Sequence, residues 1–298
     1  MSKSAIKRNL TAYLFLSPWL IGLFVFTLGP MLSSLYFSFT AFDLFSPSQW
    51  VGAENYRVIF AQDDRFYKAL KATFLFVAVS VPLKLIFALA VAMLLNRSIR
   101  GIGLYRTVYY LPSLVGGSVA VSIMWRQIFG ADGLINKLIA LLGLEGTSWL
   151  SHPSYAIYTL CLLAIWQFGS SMVIFLAGLK QIPEHLYEAS SIDGASKAQQ
   201  FFSITVPMLS PVVFFNLVMQ TIGGFMVFTQ GFIVTKGGPL DSTLFFAIYL
   251  YEKGFTYFQM GYASALSWIL LLIVGAFTAI LFRTSSRWVY YESGGARG

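Results

Sequence analysis

The residues able to do acid, nucleophilic or metal chemistry are few and scattered. All 12 acids, Asp43, Glu54, Asp63, Asp64, Asp132, Glu145, Glu184, Glu188, Asp193, Asp241, Glu252 and Glu292, lie in connections or tails between apolar stretches, as do His152 and His185. Cys161 is the only cysteine; it sits in an apolar run with no histidine nearby, so a disulfide within the chain cannot form. No His/Asp or His/Glu cluster has ligand spacing, and no serine stands in a nucleophile elbow. Gly101 and Gly103 begin a G-x-G pattern that stops there, and no G-x-x-x-x-G-K-[ST] loop follows. The expectation is no catalytic residue, no metal and no cofactor in this chain. If ATP drives it, another subunit binds the nucleotide.

The elements around these residues are those of a membrane protein. The 298 residues are 57% hydrophobic and 11% charged, against roughly 25% charge in a soluble domain, which excludes an ordinary globular enzyme. About 20 apolar residues cross a bilayer as a helix, and six windows qualify: 12–39, 71–95, 104–129, 155–179, 203–230 and 261–282. Lys3, Lys7 and Arg8 precede the first, but its uncharged run exceeds the ~7–15 residues of a signal sequence and lacks a small-residue cleavage site, so it stays as a span. The net charge of +8 comes from scattered Lys and Arg with no basic stripe, which argues against nucleic acid as a partner.

Eleven of the 20 basic residues fall on the side of both termini and six on the other, which predicts both termini in the cytoplasm. The Arg97, Arg100, Arg106 connection reads as a tight cytoplasmic turn, and 40–70 as a partly ordered outer loop forming a cap or docking surface. The expected fold is an all-α integral membrane protein of six transmembrane helices. A tail at 1–11 and another at 284–298 flank a six-helix domain at 12–283. Pro82, Pro112, Gly116, Gly117, Pro207, Pro211, Gly223 and Gly224 lie inside the spans. They predict kinked helices around a cavity or close helix packing, and both remain open.

Lys84 stands midway along the second span, where a lone lysine costs about 3 kcal/mol on insertion scales. Its long side chain can snorkel or meet a partner's carbonyls, and a structural role is favoured. The spans otherwise lack the carboxylate or histidine with which an ion-coupled secondary sugar carrier binds its driving ion.

The connection at 180–202, KQIPEHLYEASSIDGASKAQQFF, is far longer than a helix hairpin needs. Pro183 suits a first helical turn and Glu184 the positive end of the dipole. Leu186, Ala189 and Ile192 share a stripe flanked by Tyr187 and Ser190, and Gly194 breaks the helix. Small residues at Ala189, Ser190, Ser191 and Ala195 let a partner approach closely. The segment reads either as a knob for insertion into another protein or as a helical loop resting on the bilayer.

Glu188-Ala189-Ser190, Gly194, Ile204 and Val206-Pro207 have the spacing of E-A-A, three residues, G, nine residues, I, one residue, L-P. This resembles the coupling loop of permease subunits of binding-protein-dependent ABC importers, with Ser190 for the second alanine and Val206 for leucine. The opening SPWLIGLFVFTLGPMLSSLYFSFTAFDLFSP, and then WVGAENY, YRTVYYLP, Gly130 to Asn136, IFLAGLKQIP, TKGGPLDST and MGYASALSWIL, resemble the maltose-type carbohydrate permeases over residues 12–283.

The resemblance implies a second permease subunit, giving a heterodimer, two ATPases that hold ATP and Mg2+, and an extracytoplasmic solute-binding protein, all at a bacterial or archaeal inner membrane. It also implies that Leu186, Tyr187, Glu188, Ala189, Ser190, Asp193, Gly194, Ala195, Ile204 and Pro207 form the ATPase-coupling loop. A sugar path would run along the spans flanking that loop, with Trp166, Gln167, Gln220, Gly223 and Gly224 as candidates. Packing between spans is the plainer reading of each of those five. A scaffold that docks a cytoplasmic partner without moving solute is the remaining rival.

Overall fold

The computed structural model describes residues 13–97 and 100–290. The expected 1–11 tail, with Lys3, Lys7 and Arg8, lies outside them, as do residues 291–298. Among the described residues the fold is all-α apart from one hairpin of two-residue strands. Among the described residues, four helices are long and apolar enough to cross a membrane alone, and two further bent pairs bring the number to six if each pair is one span. The chain divides into two compact units, Met1–Asp63 with Leu250–Leu271, and Asp64–Tyr249 with Leu272–Gly298.

In the first unit, α1 spans Tyr13–Ser38 and none of its apolar window is buried within the chain. A π-helical stretch, Gly22–Leu28, precedes Pro30, which cannot donate into a regular ladder. Strand β1, Thr40–Ala41, pairs antiparallel with β2, Gln49–Trp50. The turn between them is held by Asp43, whose Oδ1 accepts from the backbone N–H of Phe45 (3.0 Å) and Ser46 (2.6 Å). Helix α2 is Glu54–Gln62. Its Asn55 Nδ2 donates to the Ser38 and Thr40 carbonyls, and Tyr56 Oη to Ser38 Oγ, so the last turn of α1 is tied off by side chains. Tyr262 donates to the Asp63 carboxylate, and the Gly261 amide bonds Phe42 O at 2.9 Å. The 40–63 connection is therefore a built, hydrogen-bonded element.

In the second unit, α3 (Asp64–Leu95) packs against α7 (Pro153–Trp166), α8 (Gly169–Leu179) and α11 (Val206–Phe225). It starts seven residues before the apolar window beginning at 71. The added turns carry Arg65, which makes a bidentate pair with Asp241, and Lys68, 3.8 Å from the same carboxylate. Asp241 lies in a loop where Lys236, Leu240 and Asp241 have positive φ and the Gly238–Pro239 bond is cis. Thr243 Oγ1 donates to Gly238 O and bonds Thr235 Oγ1 across it. TKGGPLDST is thus a self-braced loop.

The third span is broken: α4 (Ile102–Val115) and α5 (Val119–Ile128) meet at 97°. Ser118 caps α5, accepting from the Val121 amide. Pro112, Gly116 and Gly117 mark this break, and Gly116 has no room for a Cβ because Gln167 fills the space. After α6 (Leu134–Leu141), Asn136 bonds Ala131 O, Thr147 O, Thr147 N and Trp149 Nε1, fixing residues 130–149 as one piece. The fourth span, α7 and α8, bends by 44° at Gln167 and Phe168.

Short helices α9 (Glu184–Ile192) and α10 (Lys197–Gln200) follow, then a π-helical turn, Phe201–Thr205, leading into α11. Helix α12 is Thr229–Val234 and α13 is Phe246–Tyr251. The last helix, α14, covers Met260–Ser285, past the expected end at 282. Beyond it the Tyr290 amide donates to Ser210 Oγ and Val289 is buried, so 286–290 packs on α11.

Candidate functional site

The first cluster is the 180–202 connection. Pro183 takes an extended conformation just ahead of α9, which the ring's fixed φ permits and a helix interior would not. Glu184 lies in the first turn, where a negative charge meets the positive end of the dipole. Gly194 ends the helix at φ 80°. The Ala195 amide bonds Ser190 O and the Gly194 amide bonds Ser191 O, the paired bonds of a Schellman motif. No residue of α9 is buried; Glu188, Ala189 and Asp193 are exposed, and Ile192 is 87% exposed.

A helix with so little packing of its own needs other attachment, and hydrogen bonds supply it. Gln200 is 3% exposed, and its Nε2 donates to Ser190 Oγ (2.9 Å) and Ser191 Oγ (2.8 Å). Tyr187 Oη and Thr205 Oγ1 are 2.8 Å apart. Ser196 and Gln199 form a capping box that starts α10. Each bond contributes about 0.5–1.5 kcal/mol net, and together they fasten α9 to the start of the helix that becomes α11. Ile204 lies in the π-helical turn and Pro207 in the first turn of α11. The widened turn stands where a regular ladder would require the N–H that Pro207 lacks.

The second cluster is a cavity of about 190 Å³ in the second unit. Gln167, Gln220, Gly223 and Gly224 line it, together with Ser80, Lys84 and Gln230. Trp166, the fifth residue proposed for a solute path, does not; its ring lies 6.0 Å from that of Trp125. The bend after α7 turns Gln167 toward this space, where its Nε2 is engaged by Leu163 O at 3.0 Å. Gly223 has open space where a Cβ would sit, whereas at Gly224 a Cβ would touch Val77. The two glycines therefore differ: the first leaves room and the second allows close packing against α3. Pro82 lies inside α3 between Ser80 and Lys84.

Sequence reasoning passed over Gln200, Thr205, Ser80 and Gln230. Gln230 has a signal, a lone amide after a run of apolar residues. Gln200 has none, because its importance arises from acceptors nine to thirteen residues away.

Residues 58–290 match the family described as binding-protein-dependent transport system inner membrane component. The chain is 54% identical over 295 residues to the probable ABC transporter permease protein YesP of Bacillus subtilis (strain 168), covering 98% of this chain and 96% of that one. It is 33% identical over 291 residues to the lactose transport system permease protein LacF of Rhizobium radiobacter, covering 94% and 96%. It is 31% identical over 286 residues to the arabinooligosaccharides transport system permease protein AraP of Bacillus subtilis (strain 168), covering 93% and 89%. Among solved structures, a chain of a bacterial ABC transporter involved in import of the acidic polysaccharide alginate superposes with a TM-score of 0.82. It is 22% identical, covering 95% of this chain and 98% of that one, a likeness of fold.

Proposed function

The chain belongs to the family of binding-protein-dependent transport system inner membrane components, and we propose that it is the permease subunit through which an ABC importer passes a sugar or oligosaccharide. The family and the relatives' sugar cargoes support this reading over an ion-coupled carrier, and among the described residues no carboxylate or histidine lines the cavity. The chain itself moves solute and makes or breaks no bond. ATP and Mg2+ are held by two partner ATPases, a second permease subunit completes a heterodimer, and a solute-binding protein delivers cargo from outside. The location is a bacterial or archaeal inner membrane, with both termini and residues 180–202 in the cytoplasm, as the basic-residue asymmetry favours.

The observation that carries the mechanism is one helical run, 197–225, anchored to α9 at one end and lining the cavity at the other. At 1.5 Å per residue, Thr205 and Gln220 stand about 22 Å apart along it. A partner gripping exposed α9 pulls through the Gln200 and Tyr187 bonds on α11, and α11 carries Gln220, Gly223 and Gly224. Movement of the motor becomes movement of the cavity wall, which is alternating access.

Proteoliposomes containing the full complex test this. ATP with the loaded binding protein should give saccharide accumulation that survives collapse of the proton gradient. Glu188→Lys, on the exposed face of α9, should abolish accumulation while the chain remains inserted. Uptake that stops with the proton gradient while ATP persists, or ATP turnover that never accumulates any solute, overturns the proposal.

A further inference from the structure

Lys84 is the only charged residue lining the 190 Å³ cavity, and among the described residues it has neither a hydrogen bond nor an ion pair. Its neighbours are neutral. Ser80 Oγ is used by Phe76 O, and Gln167 Nε2 by Leu163 O, while Gln220 and Gln230 face the same space with their amides unengaged among the described residues. No acid is among the residues lining the cavity, and none of the described acids pairs with Lys84, so the ammonium has no fixed counter-charge among the described residues.

A cation at this depth without a counter-charge is expensive. A snorkelling side chain would carry its head to the lipid headgroups, whereas Lys84 lines the cavity it shares with Gln167, Gln220 and Gln230. Neutral saccharides need only amides, hydroxyls and aromatic faces, and the three glutamines supply amides; a cation adds nothing to neutral recognition and burdens insertion. We propose that Lys84 is the charge partner of a carboxylate on the transported saccharide, so that the cargo class is a uronate-bearing sugar or oligosaccharide.

The donor set favours a carboxylate over a phosphate ester. A single ammonium is a point charge suited to one negative charge, and no arginine lines the cavity to offer the bidentate fork that phosphate recognition favours. Gln167, Gln220 and Gln230 then meet hydroxyls of the same ring. This gives the structurally read Lys84 a role in selecting cargo. It rests on the chain being a sugar-importer subunit, and the test separates the two.

Cells making the complete importer are offered a mixed pool of neutral oligosaccharides and of oligosaccharides released from a uronate-bearing polysaccharide. Part of the pool is methyl-esterified at its carboxyls, and imported members are identified by mass spectrometry. Free-acid members should enter in preference to neutral or esterified ones. Lys84→Gln and Lys84→Met should each lower that preference by about tenfold or more, the loss of one charge-assisted hydrogen bond, with Lys84→Arg retaining most of it. Membrane levels of each variant are measured alongside, and Lys84→Met, apolar and unburdened in the bilayer, covers the case of poor insertion by Lys84→Gln. Entry of neutral members alone, equal entry of esters and acids, or undiminished acid preference in Lys84→Met overturns the Lys84 assignment while the importer reading stands. Entry of no saccharide at all by an assembled complex that hydrolyses ATP sinks the importer reading itself.

Discussion

At the level of single residues, Gln200 and Asp43 show how one side chain organises a connection. Gln200→Ala removes the donor that joins α10 to Ser190 and Ser191, at a cost of about 1–3 kcal/mol for breaking a buried hydrogen-bonded group. Faster amide exchange across α9 is expected, with uptake falling while ATP turnover continues. Ser190→Ala, which restores the second alanine of the E-A-A pattern, leaves Ser191 as an acceptor, so its effect on exchange should be the smaller. Asp43 makes a pH prediction. The N–H groups of Phe45 and Ser46 bond its carboxylate and hold its pKa below the ordinary 3.8. The ionised form is favoured in the fold, so this stabilisation is complete above 3.8 and is lost as pH falls through the lowered value. Pepsin cleavage at residues 43–46, normalised to an unstructured peptide, should rise only below 3.8. Asp43→Ala should be cut across the whole acid range.

Among the elements, α9 depends on Gly194. Its φ of 80° suits glycine, and a residue with a Cβ there costs about 1–2 kcal/mol, although nothing within 4 Å would clash. Gly194→Leu should therefore fray the end of α9 and cut uptake sharply, while Gly194→Asn, tolerant of that conformation, retains more; transport assays on both variants check this. The helix itself was legible in the sequence because Pro183, Glu184 and Gly194 punctuate it locally. The spans were legible as long apolar windows with few charges. The early start of α3 was not, since Asp64, Arg65, Lys68 and Lys71 lower the hydropathy of turns that are helical anyway, and the partner that accepts Arg65 and Lys68 is Asp241, far along the chain. Pro112, Gly116 and Gly117 left kinking and close packing equally open, and the structure has a break there. Its 97° angle depends on what packs there, including the Gln167 side chain in the place of a Gly116 Cβ. Four of the five path candidates share a cavity and Trp166 does not, because the bend after α7 separates neighbours in sequence.

For the whole molecule, the proposed orientation is open to a chemical test because Cys161 is 2% exposed, so the native thiol is shielded from a membrane-impermeant reagent. Ile192→Cys and Leu240→Cys, at positions 87% and 84% exposed, should behave oppositely. Leu240→Cys should react in intact spheroplasts, and Ile192→Cys only after the membrane is opened; the reverse pattern would invert the topology. The exposure of Ile192 bears also on how the protein must be produced. In the proposed orientation, a subunit synthesised without the proposed ATPase displays a greasy tip in the cytosol, ready for quality-control proteases or for wrong associations. Expression alone should yield a short-lived chain, co-expression with the matching ATPase should lengthen its half-life, and balanced synthesis becomes part of the transporter's design.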